Sequence, residues 1–351
     1  MAKDDTSPIS DTELIDTALH PSKASTTLDT VSDNPTTRRE TIHATQYAVI
    51  DGIINMLREC GATSRVIEWI LLTDPPVAAK YLQYLGISSP VIRSLVARRV
   101  QAYLRTASEI SLGDIYMQNL PHALRADMGE FFTPTRIVFR VIDELPHKGV
   151  VVDPACGDGR LIVELLRRGR TLSDVAAIDL NPVAVCLTRA NVWLATRDPN
   201  IAERASIHWG DFATTNGLGQ HLYWPSTWMK PVPQHSHIAC NPPWILMKNL
   251  APGYAAIAQA HFKNIYGPRT DSAVDILVAE IFVALSICAL DEGAHLSLVL
   301  PQSVLTTMTT APRRLAGLTS LRTQACSAIE PFPAARQPTF ILSGARWAPH
   351  H

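Results

Sequence analysis

Ile238-Ala239-Cys240-Asn241-Pro242-Pro243-Trp244 is an apolar run that stops abruptly at Asn-Pro-Pro and is followed by a large aromatic residue. Proline has no N–H for a sheet ladder, so a strand must end where the prolines begin. Asn241 therefore stands at a predicted strand tip, and two fixed φ angles hold the backbone carbonyl of Pro242. Two convergent acceptors beside an indole face suit a flat molecule that carries an amino group.

Working outward, similar short apolar runs recur at Val150-Val151-Val152, Val175-Ala176-Ala177-Ile178, Ala205-Ser206-Ile207-His208-Trp209 and His295-Leu296-Ser297-Leu298-Val299-Leu300. Helical periodicity occupies 159–170, 182–196, 272–290 and 302–317. Continuously apolar strands alternating with helices predict a parallel sheet covered on both faces. Two last strands, near 323–330 and 338–344, flank Pro331-Phe332-Pro333 and predict a closing hairpin. The expected fold is α/β: a Rossmann-like, doubly wound, seven-stranded and mostly parallel sheet with an antiparallel edge hairpin.

Before this sheet the pattern differs. Residues 1–40 are rich in Ser, Thr, Asp and Pro, which predicts a disordered arm. From 41 to 126, Ile53-Ile54, Leu57, Val66-Ile67 and Ile70-Leu71 recur at helical intervals, predicting a small all-helical N-terminal domain. Arg93, Arg98, Arg99 and Arg105 within it read either as a solvated helix face or as phosphate contacts. The α/β domain is expected over 127–346, with a tail at 347–351.

Of 351 residues, 46% are hydrophobic and 18% charged, ample for a globular core. The longest apolar stretch, Ile276–Leu290, contains Glu280 and is too short to span a bilayer. The start shows no basic-then-apolar leader, so neither secretion nor membrane insertion is expected. Six scattered cysteines argue for a reducing, cytoplasmic setting without disulfides, and neither they nor the histidines show metal-ligand spacing. A net charge of −1 lacks the basic excess of a dedicated nucleic-acid binder, although a neutral total leaves room for a basic face.

Three further loops follow predicted strands. Asp153-Pro154-Ala155-Cys156-Gly157-Asp158-Gly159-Arg160 opens a helix, and its glycines permit a tight turn and close ligand approach. Only two of the three glycines of a dinucleotide fingerprint are present, which favours a nucleoside without phosphates over a pyrophosphate. Asp179 ends the second strand, where it reads as an acceptor for a ribose diol or as the N-cap before Pro182. Asp211 reads as an acceptor for an adenine amino group beside the ring of Phe212, or as a turn aspartate. With Asn241 these loops share one carboxyl edge, where doubly wound sheets bind ligands.

Four segments carry a family resemblance: Gly129-Glu130-Phe131-Phe132-Thr133-Pro134, Asp153–Gly159, Asn241–Trp244, and Phe332-Pro333-Ala334-Ala335-Arg336-Gln337-Pro338. Over roughly 110–346 the chain resembles class I S-adenosylmethionine-dependent N6-adenine DNA methyltransferases. The likeness is greatest to type I restriction–modification methylase subunits and related Asn-Pro-Pro-aromatic enzymes. The resemblance implies that Phe131, Phe132, Thr133 and Pro134, with Asp153 and the loop of Ala155, Cys156, Gly157 and Gly159, cup the methionine end of S-adenosylmethionine. Asp179 and Leu180 would hold the ribose, and Asp211 and Phe212 the donor adenine. Asn241, Pro242 and Pro243 would take the target amine, and Trp244 would stack on the target base. The chain departs from the group at Asp158 and Arg160, where small and aromatic residues are common, and at Trp244, where Tyr or Phe is commoner.

The implied substrate is DNA with its target adenine flipped out, and no metal is implied. The sheet is expected to finish near 346, leaving no room for a target-recognition domain, so a separate specificity subunit or recognition domain is expected, or the chain is a catalytic half. Cytosine N4, RNA adenine or protein glutamine are the alternative substrates, and a non-catalytic donor-binding scaffold is the alternative role.

Overall fold

A computed structural model describes residues 50, 52–71, 112–114, 132–209, 212, 236–247, 277–304, 306, 325–329 and 338–346. The chain divides into two compact units, Met1–Leu124 and Arg125–His351. In the first, 52–59 and Ser64–Ile70 are helical. The hydroxyl of Thr63 caps the second helix by accepting from the Val66 amide, and Leu57, Val66 and Ile70 are buried. The arm at 1–40, the four arginines between 93 and 105 and most of the expected helical domain lie outside the described residues, as does the tail.

The second unit carries the sheet. Its strands are β1 (Val151–Asp153), β2 (Val175–Asp179), β3 (Ser206–Trp209), β4 (His237–Cys240), β5 (His295–Pro301), β6 (Ala325–Ile329) and β7 (Thr339–Ala345). Their spatial order is β3-β2-β1-β4-β5-β7-β6. The first five pair in parallel, while β7 runs antiparallel to both β5 and β6. This is the α/β class and mixed sheet expected from the strand–helix alternation.

Burial explains the continuous apolar strands. All four residues of β4 are buried, and Ile238 and Cys240 share a core with Phe282, Leu285, Leu296, Leu298 and Leu300. The helix Val278–Ala289 is largely apolar because most of it lies in the core, where Glu280 and Ser286 are also buried. The described helix begins at Val278, and the expected positions 272–276 lie outside the described residues. Leu277 remains extended and bridges Leu246, while its amide donates to the carboxylate of Glu280 at 3.4 Å. Of the expected helix at 302–317, only 302–304 and 306 are described, and they are helical.

The strand order fixes where a ligand can bind. From β1 the chain steps through β2 to β3 in one direction, whereas β4 and β5 lie on the opposite side of β1. Open α/β sheets bind ligands in the crevice beyond the carboxyl ends of the strands where the order reverses in this way, here β1 and β4.

Candidate active site

The turn after β1 forms one wall of that crevice. The carboxylate of Asp153 accepts from the Ala155 amide at 3.2 Å, and the Cys156 amide donates to the Ile178 carbonyl at 2.9 Å. Gly157 and Gly159 have φ of +56° and +77°, in the left-handed region that side chains disfavour. A Cβ on Gly157 would approach the Phe132 ring to 3.0 Å, and one on Gly159 would meet Thr188 at 2.7 Å. Both glycines are thus required by backbone conformation and by close packing.

Asp179 ends β2. One carboxylate oxygen accepts from the Gly157 amide and the other from the Asn181 amide, each at 2.8 Å. The N-cap of helix Pro182–Thr196 is Asn181, whose side chain accepts from the Val183 amide at 2.9 Å. Of the two readings of Asp179, the capping one is therefore filled by its neighbour. Leu180, beside it, is 56% exposed, and its carbonyl accepts from the indole N–H of Trp209 at 2.7 Å.

The Asn-Pro-Pro-Trp segment leaves β4 next to β1, with Val152 in register with Ile238. Pro242 is buried, while Asn241, Pro243 and Trp244 are half-buried. Asn241 and Trp244 make other interactions, but Oδ1 of the first and Nε1 of the second are buried atoms that carry no hydrogen bond. Trp244 packs against the core around Phe282, and the Val278 amide donates to the Ile245 carbonyl at 2.9 Å. Phe212 turns into the same core, its ring 5.2 Å from that of Phe282. Phe131 and Asp211 lie outside the described residues.

Carboxylates dominate the electrostatics of the loop. Asp153 and Asp158 are buried, and Asp179 is half-buried. Burial first, then the charges of Asp179 and Asp158, push Asp153 well above the usual carboxylate range, against the lowering effect of its bond to Ala155. Burial, followed by the fields of Asp179 and Asp153, likewise pushes the Cys156 thiol up. Arg160 pairs with Asp158 at 2.7 Å and burial disfavours the charge of Asp153, which leaves Asp179 at the strand tip as the remaining carboxylate of the three. The loop therefore fits a nucleoside, with Asp179 placed as an acceptor and Leu180 as an apolar face.

Three residues at this loop were not singled out as ligand contacts by sequence reasoning. Arg160 donates to Asp158 and to the Thr133 carbonyl. Thr188 donates to the Gly157 carbonyl at 2.9 Å, and Asn191 donates to the Asp158 carbonyl at 2.8 Å. Thr188 and Asn191 lie three apart on a helix that is otherwise largely apolar and buried. That spacing places two polar groups on one face and is the signal that could have found them.

The profile of the N-6 DNA methylase family matches residues 108–311, more than half of the chain. The type II methyltransferase M.VspI of Vibrio sp. (strain 343) is 30% identical over 84 residues, 23% of this chain and 21% of that protein. The chain thus matches about a fifth of the length of this curated relative. Among solved structures, the DrdV–DNA complex superposes with a TM-score of 0.56 at 13% identity, covering 95% of this chain and 40% of that one. The type IIL restriction–modification enzyme MmeI in complex with DNA gives 0.52 at 12% identity, covering 88% and 57%. At such identities these two likenesses are of fold alone. The matched residues take in the glycine loop, Asp179 and the Asn-Pro-Pro-Trp segment, and the chain belongs to the N-6 DNA methylase family.

Proposed function

We propose that this chain is a DNA methyltransferase that moves a methyl group from S-adenosylmethionine to the N6 amine of a flipped adenine. One observation carries the reading. The glycine loop, fastened to Asp179, and the Asn241–Trp244 segment leave adjacent strands at the crevice where the strand order reverses.

When bound, S-adenosylmethionine supplies an activated methyl on a sulfonium. The chain's own residues do the rest. Phe132, Thr133, Pro134, Asp153, Ala155, Cys156, Gly157 and Gly159 lie around the donor's methionine end. Asp179 and Leu180 take the ribose and Asp211 the donor adenine, whereas Phe212, expected on the adenine ring, is drawn into the core against Phe282. Asn241, through its side-chain oxygen, and Pro242, through its carbonyl, each accept one N–H of the target amine. That grip localises a nitrogen lone pair otherwise delocalised into the ring, and the two dipoles stabilise the positive charge that grows there. Pro243 stiffens the turn, and stacking on Trp244 offsets part of the roughly few kcal/mol needed to flip the base. The proton leaves after transfer, so no general base is required beforehand.

We further propose that the chain serves as the modification subunit of a restriction–modification system and relies on a partner for sequence recognition. A net charge of −1 supports this, because DNA affinity rests on phosphate contacts that another subunit can provide. Buried free thiols at Cys156, Cys186 and Cys240 accord with a reducing, cytoplasmic setting. The test is to offer labelled donor to DNA, RNA and protein. Label in DNA as N6-methyladenine is expected, whereas label confined to cytosine, RNA or protein overturns the substrate assignment.

A further inference from the structure

Arg160 is the first residue of the helix after the glycine loop, yet its side chain turns back over the loop. Its Nε lies 3.0 and 3.1 Å from the two carboxylate oxygens of Asp158, and Nη2 lies 2.7 Å from one of them. Nη1 donates to the Thr133 carbonyl at 2.9 Å, and the guanidinium carbon stands 5.6 Å from the centre of the Phe132 ring. The Asp158 side chain is 1% exposed and that of Arg160 16%. The other side of Asp158 is fixed through its carbonyl by Asn191.

These contacts join segments that are remote in sequence. Thr133 immediately precedes Pro134, the N-cap of helix Thr135–Asp143, while Asp158 lies between the two left-handed glycines. The Phe132 ring occupies the space that a Cβ on Gly157 would need, and the Gly157 amide is held by Asp179. A continuous chain of contacts thus runs from Phe132 and Thr133 through Arg160, Asp158 and Gly157 to Asp179. Only a planar guanidinium has donors spaced to grip a carboxylate and a separate carbonyl together while lying over a ring; an ammonium is a point charge.

We propose that Arg160 is a positioning residue for the methyl donor, holding Phe132 against Gly157 so that the wall at the donor's methionine end and the acid at its ribose keep one geometry. This deepens the donor-site reading given above and rests on it. A residue that merely steadies the fold would act through the buried Asp158 charge. A positioning residue acts through the Thr133 and Phe132 contacts as well.

The experiment uses the full chain with Arg160→Lys, Arg160→Gln and the double variant Asp158→Asn/Arg160→Gln. Equilibrium binding of S-adenosylmethionine, donor KM, kcat, melting temperature and hydrogen exchange at Phe132 and Thr133 are compared. Both single variants are expected to weaken donor binding by roughly tenfold or more. Donor KM should rise by the same factor, with a smaller change in kcat at saturating donor, and exchange at Phe132 and Thr133 should quicken. The double variant should regain melting temperature, since no buried carboxylate is left without its partner, but not donor affinity. Unchanged donor affinity in the single variants, or affinity restored together with melting temperature in the double variant, overturns the proposal. Failure of the wild-type chain to bind the donor overturns the site reading instead. The hold of Arg160 on Phe132 and Thr133 is then decided by hydrogen exchange, and unchanged exchange in Arg160→Gln overturns it.

Discussion

The backbone amide of Gly157 donates a 2.8 Å hydrogen bond to a carboxylate oxygen of Asp179, fastening the turn after β1 to the tip of β2. The second oxygen is held by the Asn181 amide, so the carboxylate is oriented before any ligand arrives. In the proposed site this oriented carboxylate is the acceptor for the donor's ribose diol. Asp179→Asn should weaken S-adenosylmethionine binding by about tenfold to a hundredfold, the usual worth of hydrogen bonds to a charged group. Calorimetric titration measures it, and wild-type affinity in the variant would remove Asp179 from the donor site.

Two glycines with left-handed backbones allow packing to be separated from strain. A methyl group on Gly159 would meet Thr188 at 2.7 Å at a φ of +77°, whereas Gly169, at +94°, has nothing within 4 Å. Gly169→Ala should cost about 1 kcal/mol through backbone strain alone. Gly159→Ala should cost about 2–4 kcal/mol, because overpacking against the helix at Thr188 adds to it. Chemical denaturation of both variants checks the order, and equal losses would mean that the close approach carries no weight.

His208 supplies the pH dependence. Burial, and secondarily the charge of Arg189, lower its pKa from 6.5 to about 4. The folded protein thus binds fewer protons than the unfolded chain between these two values. Stability is therefore full above about pH 6.5 and falls as pH drops toward 4, by up to about 3 kcal/mol from this residue. His208→Gln should flatten that part of the slope. Denaturation midpoints measured across pH 4–8 decide it, and an unaltered slope would show that His208 does not titrate in this window.

Local chemistry made the strand ends legible. Asn241-Pro242-Pro243 had to terminate β4, and the left-handed glycines had to form a turn, because proline and glycine act on their own backbone. The cap at Asn181 was less legible, since Asp179 and Asn181 both suit that position and only the Val183 contact separates them. Phe212 could have faced a ligand or the core, and Phe282, far along the chain, drew it inward. The bond of Arg160 to Thr133 spans two segments with no shared periodicity, so no local pattern announces it. Spacing shows which face a residue occupies, whereas contacts between distant loops depend on how the faces meet.

Everything in the proposed reaction turns on Asn241 gripping the amine that accepts the methyl group. Its most direct test supplies mixed genomic DNA and S-adenosylmethionine to the full chain, with any subunit that co-purifies, as wild type and as Asn241→Ala, followed by nucleoside analysis and donor titration. N6-methyladenine is expected from the wild type. The variant should lose at least about a hundredfold in rate while still binding the donor. Normal methylation by Asn241→Ala, or label arriving only on another base, would contradict the account.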